Sequence, residues 1–327
     1  ELVVIGYGTV KKSDLTGSVA ALNEDDFNPG VNTSVDEMIL GRTAGVQVIQ
    51  SSAEPGGGMS IRVRGAGSIN ASSEPLYVID GLPIDNSQVT AGTGLRVVGT
   101  RTPRNPLASI NPNDIESIEI LKDASATAIY GARGANGVIM ITTKKGKQGK
   151  LEVTYNGYTG LQSPANTLDL LTAEEYQTVL NDILDDGGGN PEERVTEIQN
   201  GGTDWQDEVM RNATVSNHSL SLVGGNESTS FYASLNYFKQ DGIVVSSGME
   251  RYDARFNLDY KLDDKFHTGM NLTTSYTYDN FVPHGYAINE NAGALYAAMN
   301  FDPSITIFND DGSYQTSPYI TTDNPLA

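Results

Sequence analysis

Hydrophobic and polar positions follow two different rules along this chain, and the change falls near residue 150. Beyond it, apolar and polar residues alternate over long runs. In RYDARFNLDYKL, Tyr252, Ala254, Phe256, Leu258, Tyr260 and Leu262 share one face. Arg251, Asp253, Arg255, Asn257, Asp259 and Lys261 share the other. The next run, 266–278, repeats the pattern after a tight turn at Asp263 and Asp264. A period of two predicts strands with two unlike faces. Weaker runs at 219–223, 229–239 and 151–159 extend the set to roughly five strands.

Before residue 150 the runs are short and separated by glycine-rich turns. Residues 46–49, 60–64, 76–79, 115–121 and 137–143 are rich in β-branched residues and bounded by Gly, Pro or Asn, which predicts strands. Residues 34–41 predict a helix capped by Ser34, with Glu37 three positions on and Gly41 at its end. A second short helix is predicted at 123–130, alanine-rich and closed by Gly131. This half reads as a small α+β domain.

A soluble β-sandwich also alternates, so the pattern alone leaves two architectures open for the second half. Runs of a dozen residues exceed the usual strand of about five or six and suit a tilted membrane span. Tyrosines sit toward the strand ends, as an interfacial girdle requires. Connections at 224–228 and 262–265 are short, whereas those after Thr159 and Tyr278 are long. Outer-membrane barrels have that asymmetry, and the barrel is the favoured reading. Small membrane barrels need about eight strands and plugged transporters about 22. An open edge in lipid would leave backbone groups unsatisfied, so the barrel is incomplete in this chain. The chain opens on Glu1 and stops within TTDNPLA, which reads as a processed or truncated part of a longer protein.

Composition narrows the chemistry. A formal net charge of −20 argues against nucleic acid as a partner. The absence of cysteine removes disulfides, thiolate metal sites and cysteine nucleophiles. No apolar run is long enough for a transmembrane helix, which leaves a membrane β-barrel open. His218, His267 and His284 are scattered without metal-ligand spacing. FNDDGSY resembles a calcium loop, but Ile307 and Pro318 would occupy its first and twelfth ligand positions. Glu174/Glu175 and Glu192/Glu193 read as helix-surface charge, and residues 172–184 as an amphipathic helix capped by Thr172. No catalytic residue, metal or cofactor is expected.

The stretch IYGARGANGVIMITTKKG places Gly131, Gly134 and Gly137 near four lysines and invites a phosphate-loop reading. A dinucleotide fingerprint needs strand, glycines, then helix, because the helix N-terminus meets the phosphate. Here the predicted helix comes first and would aim its electronegative end at the glycines. The glycines instead suit tight turning and close backbone approach. Lys144, Lys145, Lys147 and Lys150 read as a solvated linker.

The run SIEILKDASATAIYGARGANGVIMITTKKG resembles the plug-domain signature of SusC/RagA-type TonB-dependent outer-membrane transporters. ELVVIGYGTVKKSDLTGSV, GRTAGVQV, SIRVRGAGSINASSEPLYVIDGLPI and NPNDIESIEILKD agree in order, and FYASLNYFKQDGIV and RYDARFNLDYKL are similar to the family's early barrel strands. The resemblance implies a TonB-box-like segment at 1–10, a plug domain at 11–149 and the first roughly five barrel strands with outer loops at 150–327. It implies TonB-dependent import of a large nutrient, oligosaccharide or peptide, across the Gram-negative outer membrane with a SusD-like lipoprotein as partner. The alternatives are a β-sandwich glycan-binding or adhesion module and a cell-surface glycan hydrolase.

Carried onto this chain, the resemblance assigns TonB interaction to Leu2, Val3, Val4, Ile5, Gly6, Tyr7 and Gly8, an extended apolar segment able to add to a partner's sheet edge. Arg62, Arg64, Arg133 and Asp123 are expected at the contact between plug and barrel, with Asp253 and Asp259 supplying matching charge from the strands. Gly65, Gly131, Gly134 and Gly137 are expected as plug turn glycines. Ser68, Asn70, Ser72, Arg96, Arg101 and Arg104 are expected to face substrate, within loops at 68–73 and 88–104.

Overall fold

The computed structural model describes residues 2–5, 8–11, 19–28, 30, 32–50, 54–65, 74–84, 106–123, 127–263, 265–282, 293–317, 320 and 322–327. Strands β1 (Leu2–Ile5) and β2 (Gly8–Lys11) form a two-stranded antiparallel sheet of their own. The N-terminal domain then contributes β3 (Val19–Asn23), helix α1 (Val35–Met38), β4 (Val46–Gln50), β5 (Met59–Val63), β6 (Leu76–Ile79), β7 (Leu82–Pro83), β8 (Ile115–Leu121) and β9 (Val138–Thr143). Its main sheet has the order β3-β8-β9-β6-β7, and β4 pairs with β5 separately. The central strands read LYVI and VIMITT because both of their faces are covered. On one face Tyr77, Ile120, Ile139 and Ile141 pack with Val35, Met38 and Ile61; on the other lie Leu76, Val78, Leu121, Val138 and Met140.

Both helices foreseen in this domain differ in detail. Helix α1 is a single turn ending at Met38, and Ser34 supplies no side-chain cap. Glu37 reaches back to Thr33 instead, accepting from its backbone N–H at 2.5 Å and its hydroxyl at 2.8 Å. Residues 128–134 form 3₁₀ turns rather than an α-helix closed at Gly131. Gly131 lies inside this segment at φ 58° and ψ −144°, a conformation open only to glycine, so it kinks the turn instead of ending it. Gly137, at φ +94°, lies where a Cβ would come within 2.9 Å of Val63 Cβ. The β9 start and the β5 end therefore approach at glycine distance.

Beyond residue 148 come β10 (Gly149–Gln162), β11 (Ala213–Gly225), β12 (Thr229–Asp241), β13 (Gly248–Lys261) and β14 (His267–Asn280). They form one antiparallel sheet in chain order, and its inward face meets the N-terminal domain rather than a partner sheet built from the same run of strands. This replaces the sandwich alternative. β11 runs well beyond the predicted 219–223, because its inward face is polar at Asn217 and Ser219 and gives little hydropathy contrast. The sheet is inverted relative to a soluble protein: Asn217, Ser234, Asn236, Arg251 and Asn257 are buried, while Leu220, Leu235, Tyr252, Leu272 and Tyr276 are exposed.

One end of the sheet carries ordered connections. Helix α2 (Ala173–Asp185) has the predicted Thr172 cap, and Glu175, read as surface charge, completes a capping box: Glu175 N–H donates to Thr172 Oγ1 at 3.3 Å and Thr172 N–H to Glu175 Oε2 at 3.0 Å. Helices α3 (Trp205–Val209) and α4 (Gly293–Asn300) share a core of Trp205, Val209, Ala298 and Phe301. The β12–β13 connection lies at this same end yet is short, and it is tied to the first long loop through Val245 N–H to Val209 O at 2.9 Å. In the hairpin 308–314, Asp311 accepts from Ser313 N–H at 2.9 Å and Ser313 Oγ at 2.6 Å, which makes it a self-satisfied turn.

Asp36 on α1 is 2% exposed, and burial, then Glu37 and Glu74, push its pKa up to about 8. A carboxyl whose folded pKa is raised contributes its full stability below the unfolded value of 3.8 and loses it as pH rises through about 8. The unfolding free energy of the N-terminal domain in the complete protein, from denaturant titrations, should therefore fall across that window with a slope approaching about 1.4 kcal/mol per pH unit. Asp36→Asn should flatten it.

Candidate functional site

The inward face of β13 sets Arg251, Asp253, Arg255 and Asn257 at every second position, so all four point at the N-terminal domain. Arg251, 2% exposed, donates through Nη1 to Ala108 O at 2.9 Å and to Thr33 O at 3.5 Å. Its Nε donates to Asp253 Oδ2 at 2.9 Å, and its guanidinium lies 5.4 Å from the Phe238 ring centroid. Asp253 also accepts from Asn236 Nδ2 at 3.1 Å and Ser275 Oγ at 2.8 Å, joining three neighbouring strands.

One step along, Arg255 Nη2 donates to Asp80 Oδ2 at 2.9 Å and to Thr143 Oγ1, while Nη1 donates to Thr273 Oγ1 at 3.1 Å. Asp80 is presented by the β6–β7 hairpin, whose two-residue turn has φ 48° at Asp80 and 84° at Gly81. Positive φ at both positions suits the Asp-Gly pair found there. The same carboxylate accepts from Thr143 N–H at 3.0 Å and Thr143 Oγ1 at 2.6 Å, so it fixes the end of β9 as well.

Asp114 forms the third contact. Tyr232 Oη and Ser234 Oγ on β12 donate to its two oxygens at 2.8 and 2.9 Å. Burial raises its pKa despite those donors and the nearby Arg255. The exit of the domain is the fourth: Gly146 N–H donates to Asn257 Oδ1 at 3.1 Å. A Cβ at Gly146 would lie 2.3 Å from Phe231 N, so only glycine passes there. Of the lysines read as solvated linker, Lys144 meets Glu24 at 3.0 Å and Lys147 lies 4.0 Å from Glu116; Lys145 and Lys150 are exposed.

The residues predicted for this contact lie elsewhere. Arg64, at φ 62°, pairs with Asp123 inside the N-terminal domain, and Arg133 Nη2 donates to Ile84 O at 3.3 Å within it. Arg62 lies near Glu74 and offsets part of the rise that burial gives that carboxyl. Asp253 pairs with Arg251 of its own strand, and Asp259 is exposed. Among the described residues the ion pair across the contact runs the other way: the strand supplies Arg255 and the N-terminal domain Asp80, while Arg251 meets backbone carbonyls. Arg251 and Arg255 were visible in RYDARF as cations on the polar face, the signal that sequence reading passed over. Of the turn glycines, Gly65 and Gly137 have φ of 89° and 94°, and Gly134 is buried where a Cβ would meet Thr127 O at 2.8 Å. Gly6, Tyr7, Ser68, Asn70, Ser72, Arg96, Arg101 and Arg104 lie outside the described residues.

A small domain seated by polar contacts against an outward-apolar sheet has clear parallels. Residues 11–138 match the TonB-dependent Receptor Plug Domain. TonB-dependent receptor SusC of Bacteroides thetaiotaomicron is 39% identical over 325 residues, covering 96% of this chain and 29% of the relative. The chain belongs to the SusC-type TonB-dependent receptors. TonB-dependent receptor P26 of Formosa agariphila is 43% identical over 322 residues, again 96% of this chain and 29% of the relative. The receptor chain therefore spans under a third of the length of these curated relatives. The RagAB peptide importer in its "open-open" state superposes with a TM-score of 0.80 at 26% identity, over 100% of this chain and 38% of that one. The siderophore receptor PirA from Acinetobacter baumannii, at TM-score 0.54 and 19% identity over 86% of this chain and 34% of that one, shares the fold. The N-terminal domain is accordingly the plug, and β10–β14 resemble the start of the barrel wall.

Arg255→Ala in the complete receptor should weaken plug seating by about 3–5 kcal/mol, the range for stripping one partner from a buried pair. Denaturant-induced exposure of the plug to protease measures it. Asp80→Asn in the same chain should recover part of the loss, because the stranded carboxylate charge is then gone.

Proposed function

We propose that the complete receptor imports a large nutrient, an oligosaccharide or a peptide, across the Gram-negative outer membrane. The observation that carries this reading is the seam: a folded plug held in the wall by hydrogen bonds and the Arg255–Asp80 ion pair rather than by a continuous apolar core. Each such bond has a net worth of about 0.5–1.5 kcal/mol when exchanged for water. A pulled plug can therefore leave its seat in steps, where an apolar interface would resist as a block.

In this reading residues 1–10 engage TonB, 11–149 are the plug, and 150–327 supply the first wall strands with their outer loops. β1 supports the first assignment: it pairs on one side with β2 alone among the described residues, so its other edge can accept a partner strand. TonB pulls this segment, the plug is remodelled, and cargo passes without covalent change. A SusD-like surface lipoprotein captures the cargo from outside, and residues 68–73 and 88–104 face it there. RagAB's description as a peptide importer supports peptide beside oligosaccharide as the cargo class.

The test is growth of a deletion strain, complemented with the complete receptor, on panels of oligosaccharides and peptides as sole carbon source. Some member of the panel should require the receptor. Val4→Pro, which removes a backbone donor from β1, should cut its uptake at least about tenfold, the effect of losing about 1.4 kcal/mol, at unchanged receptor abundance. Receptor-dependent uptake indifferent to Val4→Pro would remove the TonB assignment.

A further inference from the structure

The hairpin at 308–314, on the rim formed by the long connections, exposes two aromatic rings on one face. Phe308 and Tyr314 are direct partners in an antiparallel bridge, so both side chains leave the same side of it. They are 51% and 43% exposed, with ring centroids 5.1 Å apart and planes inclined at 30°. Their neighbours Ile305 and Ile307 pack against the Trp205–Phe301 cluster, whereas the two rings stay in solvent.

The support beneath them is braced. Asn309 N–H donates to Ser313 O at 2.8 Å, and Asn309 Nδ2 donates to Ser313 Oγ at 2.9 Å. At the base, Gln315 N–H donates to Ile307 O at 2.9 Å. Asn324 Nδ2 clasps both arms, donating to Ile307 O at 3.1 Å and Gln315 O at 2.9 Å. Thr306 Oγ1 ties the hairpin to the other long connection through Gln199 Oε1 at 3.3 Å. Large rings held in place this way offer contact area at little ordering cost.

Charge names the occupant. The connection after β10, residues 163–212, holds twelve Asp and Glu against two Arg, and the connection after β14, residues 281–327, holds five against no Lys or Arg. Together they carry −15 of the chain's formal −20 on under a third of its residues. Asp310 and Asp311 place two of these carboxylates, both exposed, at the hairpin's own tip. The Ser313 donors hold Asp311 below the usual carboxylate range, so it is ionised at neutral pH. A surface of one sign concentrates ligands of the other sign from solution. A second copy of this chain, or an anionic saccharide, would be repelled, and a neutral saccharide would stack on the rings but gain nothing from the field. A basic side chain uses both features: ring faces attract cations, guanidinium above ammonium, and the carboxylates accept charge-assisted bonds.

We propose that the Phe308–Tyr314 hairpin docks an arginine or lysine side chain of a basic peptide, which the acidic rim draws in from solution. The inference rests on the import reading and narrows its cargo from oligosaccharide or peptide to basic peptide.

The complete receptor, titrated with a short arginine-rich peptide and with its twin carrying citrulline at each arginine, tests it by fluorescence anisotropy. The arginine peptide should bind about tenfold tighter in dilute salt, and the ratio should shrink as salt rises from about 0.01 M to about 0.5 M. Phe308→Ala with Tyr314→Ala should weaken the arginine peptide about fivefold and the citrulline peptide much less. Tyr314→Phe keeps the ring and should keep the affinity, while Asp310→Asn should weaken the arginine peptide alone. Equal affinity for the two peptides, or a double substitution without effect on the arginine peptide, overturns the proposal. So does a double substitution that releases a copurifying surface lipoprotein and leaves peptide affinity unchanged, which would give the rings to a protein partner. Receptor-dependent growth on an oligosaccharide beside equal peptide affinities would remove this inference and leave import standing. Peptide discrimination without receptor-dependent uptake of any panel member would remove import instead.

Discussion

The arrangement depends on two arginines that have no water to go to. Arg251 and Arg255 are 2% and 7% exposed, in a seam where a lone guanidinium would cost several kcal/mol. Each must be met from the plug side, and the plug is shaped to meet them. A positive-φ hairpin turn aims Asp80, and the carbonyl of Ala108 is turned toward Arg251. Asp114, leading directly into β8, takes the neighbouring Tyr232 and Ser234. The seating of the domain is therefore set by matching polar groups one by one, which gives a defined register without a shared apolar core.

That division separates two kinds of stability. Within the plug, Ile139, Ile141 and Tyr77 belong to a sheet buried on both faces, which holds its own shape. Between plug and wall, polar contacts dominate, and Asp253 stiffens their base by bonding to Asn236, Arg251 and Ser275 at once. The wall completes the inversion by turning its apolar residues outward. A body with an internal core and a polar boundary can be displaced without dissolving the wall that holds it, as the proposed import requires.

Much of this was legible in the sequence, and the exceptions share a cause. The alternation in RYDARFNLDYKL announced both faces of β13. Partner choice was not legible. Arg255 meets a carboxylate 175 positions away, and nothing local distinguishes Asp80 from other acids. Arg64 and Arg133 looked equally suited to the seam, yet their partners, Asp123 and Ile84 O, are within the plug. β11 was half hidden for a related reason: its inward residues are polar because they face a polar seam, so hydropathy contrast fades where the functional surface begins. The substrate-facing candidates at 68–72 and 96–104 lie outside the described residues.

The outer end of the wall bears on where motion can occur. Trp205 donates from Nε1 to Asp302 O at 2.8 Å and stands edge-on to Phe301, with centroids 4.9 Å apart. Gln206 holds Leu168 by both backbone groups, at 2.9 and 2.8 Å, and Arg211 bonds Gly242 O at 3.1 Å and Ser247 O at 3.3 Å. Segments from three separate connections are thus joined by one apolar cluster and several hydrogen bonds, an arrangement that favours a rigid rim over independent loops. Gly146 adds the same restraint at the other end, where the chain leaves the plug against the backbone of Phe231. With rim and exit both tied to the wall, the polar seam is the boundary at which plug and strands meet, and the proposed remodelling of the plug would have to break it contact by contact.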